Sequence, residues 1–419
     1  MTEFSPQPSC QDPVEAIKLD VQSARAQIMA AITPINSWRS CALREALGEV
    51  LHETIYSPVQ VPPHHNSAMD GYAIHSRDWQ AGVHSFQLAG HAYAGQPFSG
   101  SLTAGQCVRI MTGAVVPDDC DTVVMQERCE VNGLSVTMHE DVRAGQNVRY
   151  AGEDLQIGDV VVEQGRRLTP ADLGLIASLG MAELRVRRRP RIAFFSTGDE
   201  LKSLGQPLAP GQIYDSNRYT LFGMLQRFGA DIRDMGVVAD DKDALRAALL
   251  QASTEADVII TSGGVSVGDA DYVKEILTEL GQVNFWKIAM KPGRPLTFGH
   301  VGNAVFFGLP GNPVSVMVTF YQFVLPALQQ LAGEPIQEPL LIKAIAVNDI
   351  RKRPGRFEFQ RGVMRTGAAG SIEVSHTGDQ GSGILRSMNT ANCFILLDDH
   401  CDGVAAGGEV LIQPFTGLI

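Results

Sequence analysis

No C-x-x-C pair occurs in this chain, and its seven cysteines (Cys10, Cys41, Cys107, Cys120, Cys129, Cys393 and Cys401) are scattered and odd in number. That argues against a disulfide framework and for the reduced thiols of a cytoplasmic protein. It also removes the closely spaced ligand pairs that fix a tetrahedral zinc site, leaving His64-His65 as an isolated pair. Positive charge is scarce as well: 34 Lys and Arg stand against 46 Asp and Glu, a net charge of -12. Nucleic-acid and anionic-membrane binders draw their affinity from clustered cations, so neither partner is expected. Any anion handled here must meet a locally basic pocket. Long hydrophobic runs are missing, with no stretch approaching the roughly 20 apolar residues of a membrane span. The start, residues 1–12, is polar and proline-containing; without a basic segment leading into an apolar one, it reads as a mobile tail and not as an export signal.

What is present is an ordinary globular composition, 44% hydrophobic and 19% charged, in 419 residues. That length exceeds one core and implies two to four domains. Residues 13–31 carry Val14, Ile17, Val21, Ala24 and Ile28 at three- and four-residue steps, which predicts an amphipathic helix, and 41–50 predicts a second. From 56 to 150 the texture changes to short β-type runs split by Gly, Pro, Asn and Asp, clearest at 108–112, 122–126 and 134–138. Within it Asn66-Ser-Ala-Met-Asp-Gly-Tyr-Ala73 leads a polar loop straight into a tyrosine-bearing strand, although Asp70-Gly71 also reads as a plain turn pair. Thr169-Pro170-Ala-Asp172 is a helix-capping signal. The basic run 185–191 reads as a solvated linker face, with an anion site as the other option.

Residues 191–333 alternate strand and helix, the pattern of a parallel sheet covered on both faces. Strands at 192–196, 232–238, 257–261 and 283–290 alternate with helices capped by Asp215 or Ser216, preceded by Asp240-Asp241, and opened by Asp271. A last helix begins at Asn312-Pro313, runs to about 331, and should kink at Pro326. Beyond 335 the β texture returns, at 340–347, 356–365, 371–375, 392–397 and 409–413, and predicts a closed or nearly closed β domain.

The chemistry concentrates in Asp257-Val-Ile-Ile-Thr-Ser-Gly-Gly-Val-Ser-Val-Gly-Asp-Ala-Asp-Tyr272. A buried strand breaks at Ser262-Gly263-Gly264, where glycines let the backbone turn sharply and approach a ligand with exposed N–H groups. Open α/β sheets bind ligands beyond the carboxyl ends of their strands, where helix N-termini favour anions. Asp269 and Asp271 would repel a bare phosphate, and they make sense if a hard divalent cation such as Mg²⁺ sits between. Asp271 fits an N-cap equally well. Glu200, in Thr197-Gly-Asp-Glu200, is a further carboxylate at a strand end, while Lys287, Lys291 and Arg294 supply charge suited to tetrahedral oxyanions.

With these residues the chain resembles the molybdopterin molybdenumtransferases, bacterial relatives of the gephyrin E domain and its plant counterpart. The resemblance covers nearly the whole chain and rests on the 66–73 stretch, Arg109-Ile-Met-Thr-Gly113, Arg149-x-x-Gly-Glu-Asp154, Ser196-Thr-Gly-Asp-Glu200, Thr261-Ser-Gly-Gly-Val-Ser-Val-Gly268, Lys291-Pro-Gly-Arg-Pro295, Gly308-Leu-Pro-Gly-Asn-Pro313 and Pro354-Gly-Arg356. The resemblance implies a reaction in which adenylylated molybdopterin and molybdate give molybdenum cofactor and AMP, assisted by Mg²⁺. It implies that Glu200 and Asp271, with Asp269, hold the metal; that Ser262, Gly263, Gly264 and Ser266 cradle the ligand; and that Lys287, Lys291, Arg294 and Arg356 receive molybdate or phosphates. Pro310, Asn312 and Asp154 are implied as further ligand-binding positions. Family members often carry Glu at the position of Asp269 and Lys at that of Arg294, so charge is kept and reach is shortened at Asp269. The resemblance further implies a homodimer in which Asp70 and Thr112 reach into the partner subunit's cleft, with the adenylyltransferase and acceptor molybdoenzymes as further partners. The expected fold is multidomain α/β and β: a central doubly wound α/β domain with a mostly parallel sheet (189–335), an inserted all-β domain (57–150), an elongated helical/β linker domain (13–56 with 151–188) and a C-terminal β-barrel-like domain (336–419). Two other readings are a molybdopterin adenylyltransferase, which would consume ATP, and a gephyrin-like scaffold, which would not need converging carboxylates and lysines.

Overall fold

The computed structural model describes residues 18–139, 141–263 and 272–415. The expected tail at 1–12 and the positions Gly264, Ser266, Asp269 and Asp271 lie outside the described residues. The chain divides into two compact units. One comprises residues up to 39, 48–50 and everything from 187; the other comprises 40–47 and 51–186.

The first unit is built on a seven-stranded sheet in the order Lys18–Leu19, Gly281–Ile288, Pro295–Val301, Ala304–Leu309, Val258–Ser262, Arg191–Thr197, Asp231–Val238. Four of its six pairings are parallel, and the two made by Pro295–Val301 are antiparallel. Strands 191–197 and 258–262 are buried from Ile192 and from Val258 onward, with apolar runs at 192–195 and 258–260, because helices cover both faces. Helix Ser216–Phe228 is capped by Asp215, whose side chain accepts from the Arg218 N–H, and ends at Gly229 in the left-handed region. Helix Lys242–Glu255 is capped by Asp241 in the same way. The expected N-terminal helix occupies Val21–Ala31, not 13–31, because Asp20 accepts from the Ser23 N–H and starts it there.

Four expectations need correction. Residues 41–50 form no helix: Trp38–Ala42 is a strand and Leu43–Glu45 a single tight 3₁₀ turn, and Gly48 then takes φ 76°. The last helix carries its irregularity ahead of Pro326. Pro313–Thr319 and Leu325–Leu331 are α-helical, and Phe320–Val324 between them is a π-turn, which absorbs the hydrogen bond a proline cannot donate. By length and composition this helix is also apolar enough to cross a membrane, contrary to the expectation that no stretch approaches that. Here 72% of it is buried, and it forms the centre of the core. Finally, the basic run 185–191 is only partly a solvated face: Arg185, Arg189 and Arg191 are exposed, but the run is also tied into the fold. Arg187 is buried and donates to the Ile35 carbonyl, Arg188 clamps Asp257 at 2.8 and 3.1 Å, and Arg189 pairs with the buried Glu49.

Downstream, five strands close on themselves: Phe357–Thr366, Ile372–His376, Ile342–Ala346, Glu409–Pro414 and Cys393–Leu397, the last returning to pair with the first. Strand Met290–Lys291 of the α/β region pairs in parallel with Phe357–Thr366, joining the barrel to the rest of this unit.

The second unit carries a six-stranded sheet in the order Thr122–Met125, Gly71–Ile74, Gln106–Ile110, Ser85–Ala92, Ser135–Met138, Cys129–Asn132. Gly71 is part of a strand here and not half of a turn: a Cβ at this position would lie 2.0 Å from the Val124 carbonyl oxygen of the neighbouring strand. A separate core gathers Leu51, Ile55, Val162, Leu168 and Ile176, with helix Pro170–Ser178 started by a reciprocal capping box between Thr169 and Asp172.

Candidate active site

The site grows from the carboxyl ends of the parallel strands in the first unit. Arg191–Thr197 and Val258–Ser262 end side by side, with Ser196 opposite Ser262. Gly263 leaves the sheet at φ 88°, and a Cβ there would sit 2.4 Å from the Thr197 carbonyl oxygen, so glycine is required for the turn. Its N–H donates to the Leu309 carbonyl at 3.2 Å, tying the turn to the end of Ala304–Leu309. Beyond that strand, Pro310, Gly311 and Asn312 lead into the helix begun by Pro313. Asn312 occupies the cap position without a side-chain capping bond.

These strand ends floor a cleft of about 840 Å³. Glu200, Gly263, Lys291, Arg294, Pro310, Asn312 and Arg356, all singled out from sequence, line it together. Lys291 is half-exposed and lies 3.6 Å from the buried carboxylate of Glu358, which also accepts from Gln360 at 2.9 Å. The cleft therefore offers Lys291, Arg294 and Arg356 as cations beside Glu200, a combination suited to an anionic ligand in a protein that is acidic overall. Ser262 is buried just beneath, its Oγ held by Asn217 at 3.0 Å.

Lys287 does not line this cleft. Alternation along Gly281–Ile288 turns Trp286 and Ile288 into the core and sets Lys287 on the other face of the strand. Asp70, Thr112 and Asp154 belong to the second unit. There Asp70 Oδ1 accepts from both the N–H and the Oγ1 of Thr112, each at 2.7 Å. The hydroxyl and backbone bonds from Thr112 hold the Asp70 carboxyl below the usual carboxylate range. Arg109 donates to the Gly71 carbonyl at 2.9 Å and stands over the Tyr72 ring at 5.1 Å, which fixes the strand following Asp70. Asp154 is exposed on a loop anchored by its own N–H to the Val61 carbonyl.

Sequence reasoning missed part of the lining. Asp240 faces the cleft from the end of the strand region 231–238, and Asp379, Gln380, Gly381 and Ser382 reach it from the barrel. That loop is held by Arg361, fully buried, which donates to the Gly381 carbonyl and to Ser387 Oγ at 3.0 Å each. It is also held by the Val314 N–H, which donates to the Ser382 carbonyl at 3.1 Å. The available signal was a Gly- and Ser-containing loop between two β runs, which marks a turn without marking its destination. Among the described residues, no three His, Cys, Asp or Glu side chains are grouped so as to hold a metal ion.

Comparison with known proteins matches three consecutive family descriptions: "MoeA N-terminal region (domain I and II)" over 19–180, "Probable molybdopterin binding domain" over 193–330 and "MoeA C-terminal region (domain IV)" over 343–415. The chain is 43% identical to the molybdopterin molybdenumtransferase of Haemophilus influenzae, over 96% of this chain and 100% of that one. It is 34% identical to the molybdopterin molybdenumtransferase of a Nostoc species, over 98% and 94% of the two chains. Among solved structures, the molybdopterin biosynthesis moeA protein of Pyrococcus horikoshii OT3 superposes with a TM-score of 0.84 at 28% identity, covering 95% of this chain and 100% of that one. Near-full-length identity of this order, with the three regions in register along the chain, makes it a member of the molybdopterin molybdenumtransferase family.

Proposed function

We propose that this protein converts adenylylated molybdopterin and molybdate into molybdenum cofactor with release of AMP, in the cytoplasm and as a homodimer. The observation that carries this reading is the single cleft that collects Glu200, Lys291, Arg294 and Arg356 around the Gly263 turn. Cleaving the phosphoanhydride to AMP spreads negative charge over the phosphoryl oxygens. Groups fixed beforehand around those oxygens stabilise that charge more in the transition state than in the bound substrate. Lys291, kept in place by Glu358, and Arg294 neutralise the phosphates or receive the molybdate oxyanion. The Gly263 turn and the residues leading into the helix at Asn312 border the same ligand, with the Gly263 and Val314 N–H groups already donated to Leu309 and Ser382.

Glu200 and Asp240 offer only oxygen donors at the cleft, a set that fits a hard cation and not zinc or copper. Glu200, with Asp269 and Asp271, would hold Mg²⁺. When bound there the ion supplies charge neutralisation at the pyrophosphate. Asp70, tied to Thr112, serves the partner subunit's cleft in the proposed dimer, and Lys287 has no direct part in this account.

Purified protein supplied with adenylylated molybdopterin, Mg²⁺ and molybdate is expected to release AMP in a molybdate-dependent way. Lys291→Ala and Glu200→Ala should each slow that release by on the order of 10²-fold while leaving the melting temperature intact. ATP consumption without AMP release from the adenylylated pterin would point to the adenylyltransferase reaction, and absence of molybdate-dependent turnover would remove the reading altogether.

A further inference from the structure

One residue outside every motif above bridges the two turns that floor the cleft. Asn217, in the first turn of helix Ser216–Phe228, donates from Nδ2 to Ser262 Oγ at 3.0 Å and to the Gly311 carbonyl at 2.7 Å. Ser262 ends one strand and Gly311 follows another, and the sheet alone cannot fix the distance between them. The ladder joining the two strands stops at Ser262 opposite Leu309, with one more bond from the Gly263 N–H to Leu309. Past that point Pro310 has no N–H to donate, and a Cβ at Gly311 would meet nothing within 4 Å. The Gly311 peptide is thus secured neither by the ladder nor by side-chain packing, and Asn217 provides the tie.

The donor itself is rigidly mounted. Asp215, buried, caps the helix by accepting from the Arg218 N–H at 3.1 Å, and Arg218 grips Asp234 at 2.7 and 2.9 Å. The orientation of the amide follows from its partners, since a carbonyl oxygen only accepts and must face the NH₂ end. That leaves Asn217 Oδ1 buried with no hydrogen-bond partner among the described residues. Leaving a buried acceptor unpaired is unfavourable, so the double donation outweighs a real cost.

We infer that Asn217 is a positioning residue for the proposed reaction. It sets the spacing between the 262–263 turn and the 310–312 turn, and so the geometry in which the pyrophosphate of the adenylylated substrate is held. This rests on the function proposed above. Asn217→Asp keeps the shape but presents an oxygen to the Gly311 carbonyl, so the tie is lost without opening a cavity.

The test compares AMP release by wild type, Asn217→Asp, Ser262→Ala and the double variant under saturating substrate, with melting temperatures measured alongside. Asn217→Asp should lower kcat by about 10- to 100-fold, because small misplacement of reacting groups is costly. KM should stay within about threefold, and kcat is compared per folded molecule, because a carboxylate facing the Gly311 carbonyl also lowers the melting temperature. Ser262→Ala removes the other end of the same bridge, so the double variant should be slowed by less than the product of the two single effects. A fully active Asn217→Asp beside an active wild type overturns the inference alone. So does a variant that melts early but turns over normally per folded molecule, since that describes a purely structural residue. A wild type that releases no AMP overturns the proposed reaction, and this inference with it.

Discussion

Asp70 is a carboxylate whose state is set chiefly by Thr112, with a smaller contribution from the Arg109 charge. The Thr112 hydroxyl and backbone bonds outweigh the small opposing effect of burial and keep its carboxyl ionised below the usual range. A group with a folded pKa below its unfolded one adds stability above the unfolded pKa and loses it as pH falls through the folded value. Thr112→Val removes the hydroxyl and leaves the backbone donor. The Asp70 carboxyl resonance should then titrate closer to the ordinary carboxylate range in NMR. Any stability difference from wild type should show near neutrality and vanish under strongly acidic conditions. An unchanged titration would show that Thr112 does not set the charge of Asp70. At this scale the sequence was legible where a side chain acts on its own turn and illegible where the deciding atom comes from another strand. Asp70-Gly71 looked like a turn pair because nothing local reveals the Val124 carbonyl 2.0 Å from where a Cβ would be. Lys287 was grouped with Lys291 by charge, yet the two-residue period through Trp286 and Ile288 already placed it on the other face.

Helix starts were legible for the same reason, since Asp215, Asp241 and Thr169 each bond an N–H two or three residues on. The basic stretch before strand Arg191–Thr197 was legible as an exposed face but not as an anchor, because its partners lie far away in the chain. Asp257 accepts from both ends of the Arg188 guanidinium and from the Arg191 N–H at 2.7 Å, so it pins the start of one central strand to the start of the next. Burial opposes ionisation of Asp257, but the bonds from Arg188 and Arg191 prevail and hold its carboxyl below the usual range. Its contribution is accordingly present above the unfolded pKa and fades as pH falls through the folded one. Asp257→Ala should cost about 2–3 kcal/mol in urea unfolding near neutrality, the size expected for a charged, partly buried hydrogen-bonding hub. The loss should be smaller, though not absent, when Arg188→Ala is already in place, because the bond from the Arg191 N–H remains. Additive losses would mean that Asp257 acts through other contacts.

At the scale of the whole chain, the order of α/β and β textures could be read from composition and period, but not which textures share a core. Within the first unit one apolar cluster runs from Ala24 and Ile28 through Ile192, Phe194 and Ile260 to Phe320, Phe323, Phe359 and Phe394. The barrel enters it through an aromatic chain, with Phe394 6.1 Å from Phe359 and 4.7 Å from Phe415 between ring centroids. The barrel is therefore part of the structure that carries the cleft, and it supplies Arg356 and Asp379 to the lining. Phe394→Ala, at a fully buried position, should cost about 3–5 kcal/mol through lost transfer energy and the cavity left behind. Because the core is continuous, that loss should be felt on the far side of it. Hydrogen exchange should speed up at the amides of Ile192, Phe194 and Ile260 together with those of the barrel, reporting one cooperative opening. If barrel amides alone lost protection while the central sheet kept its own, the barrel would be a separately folding module. The contribution of Arg356 and the 379–382 loop to the cleft would then depend on a weak junction and not on a shared interior.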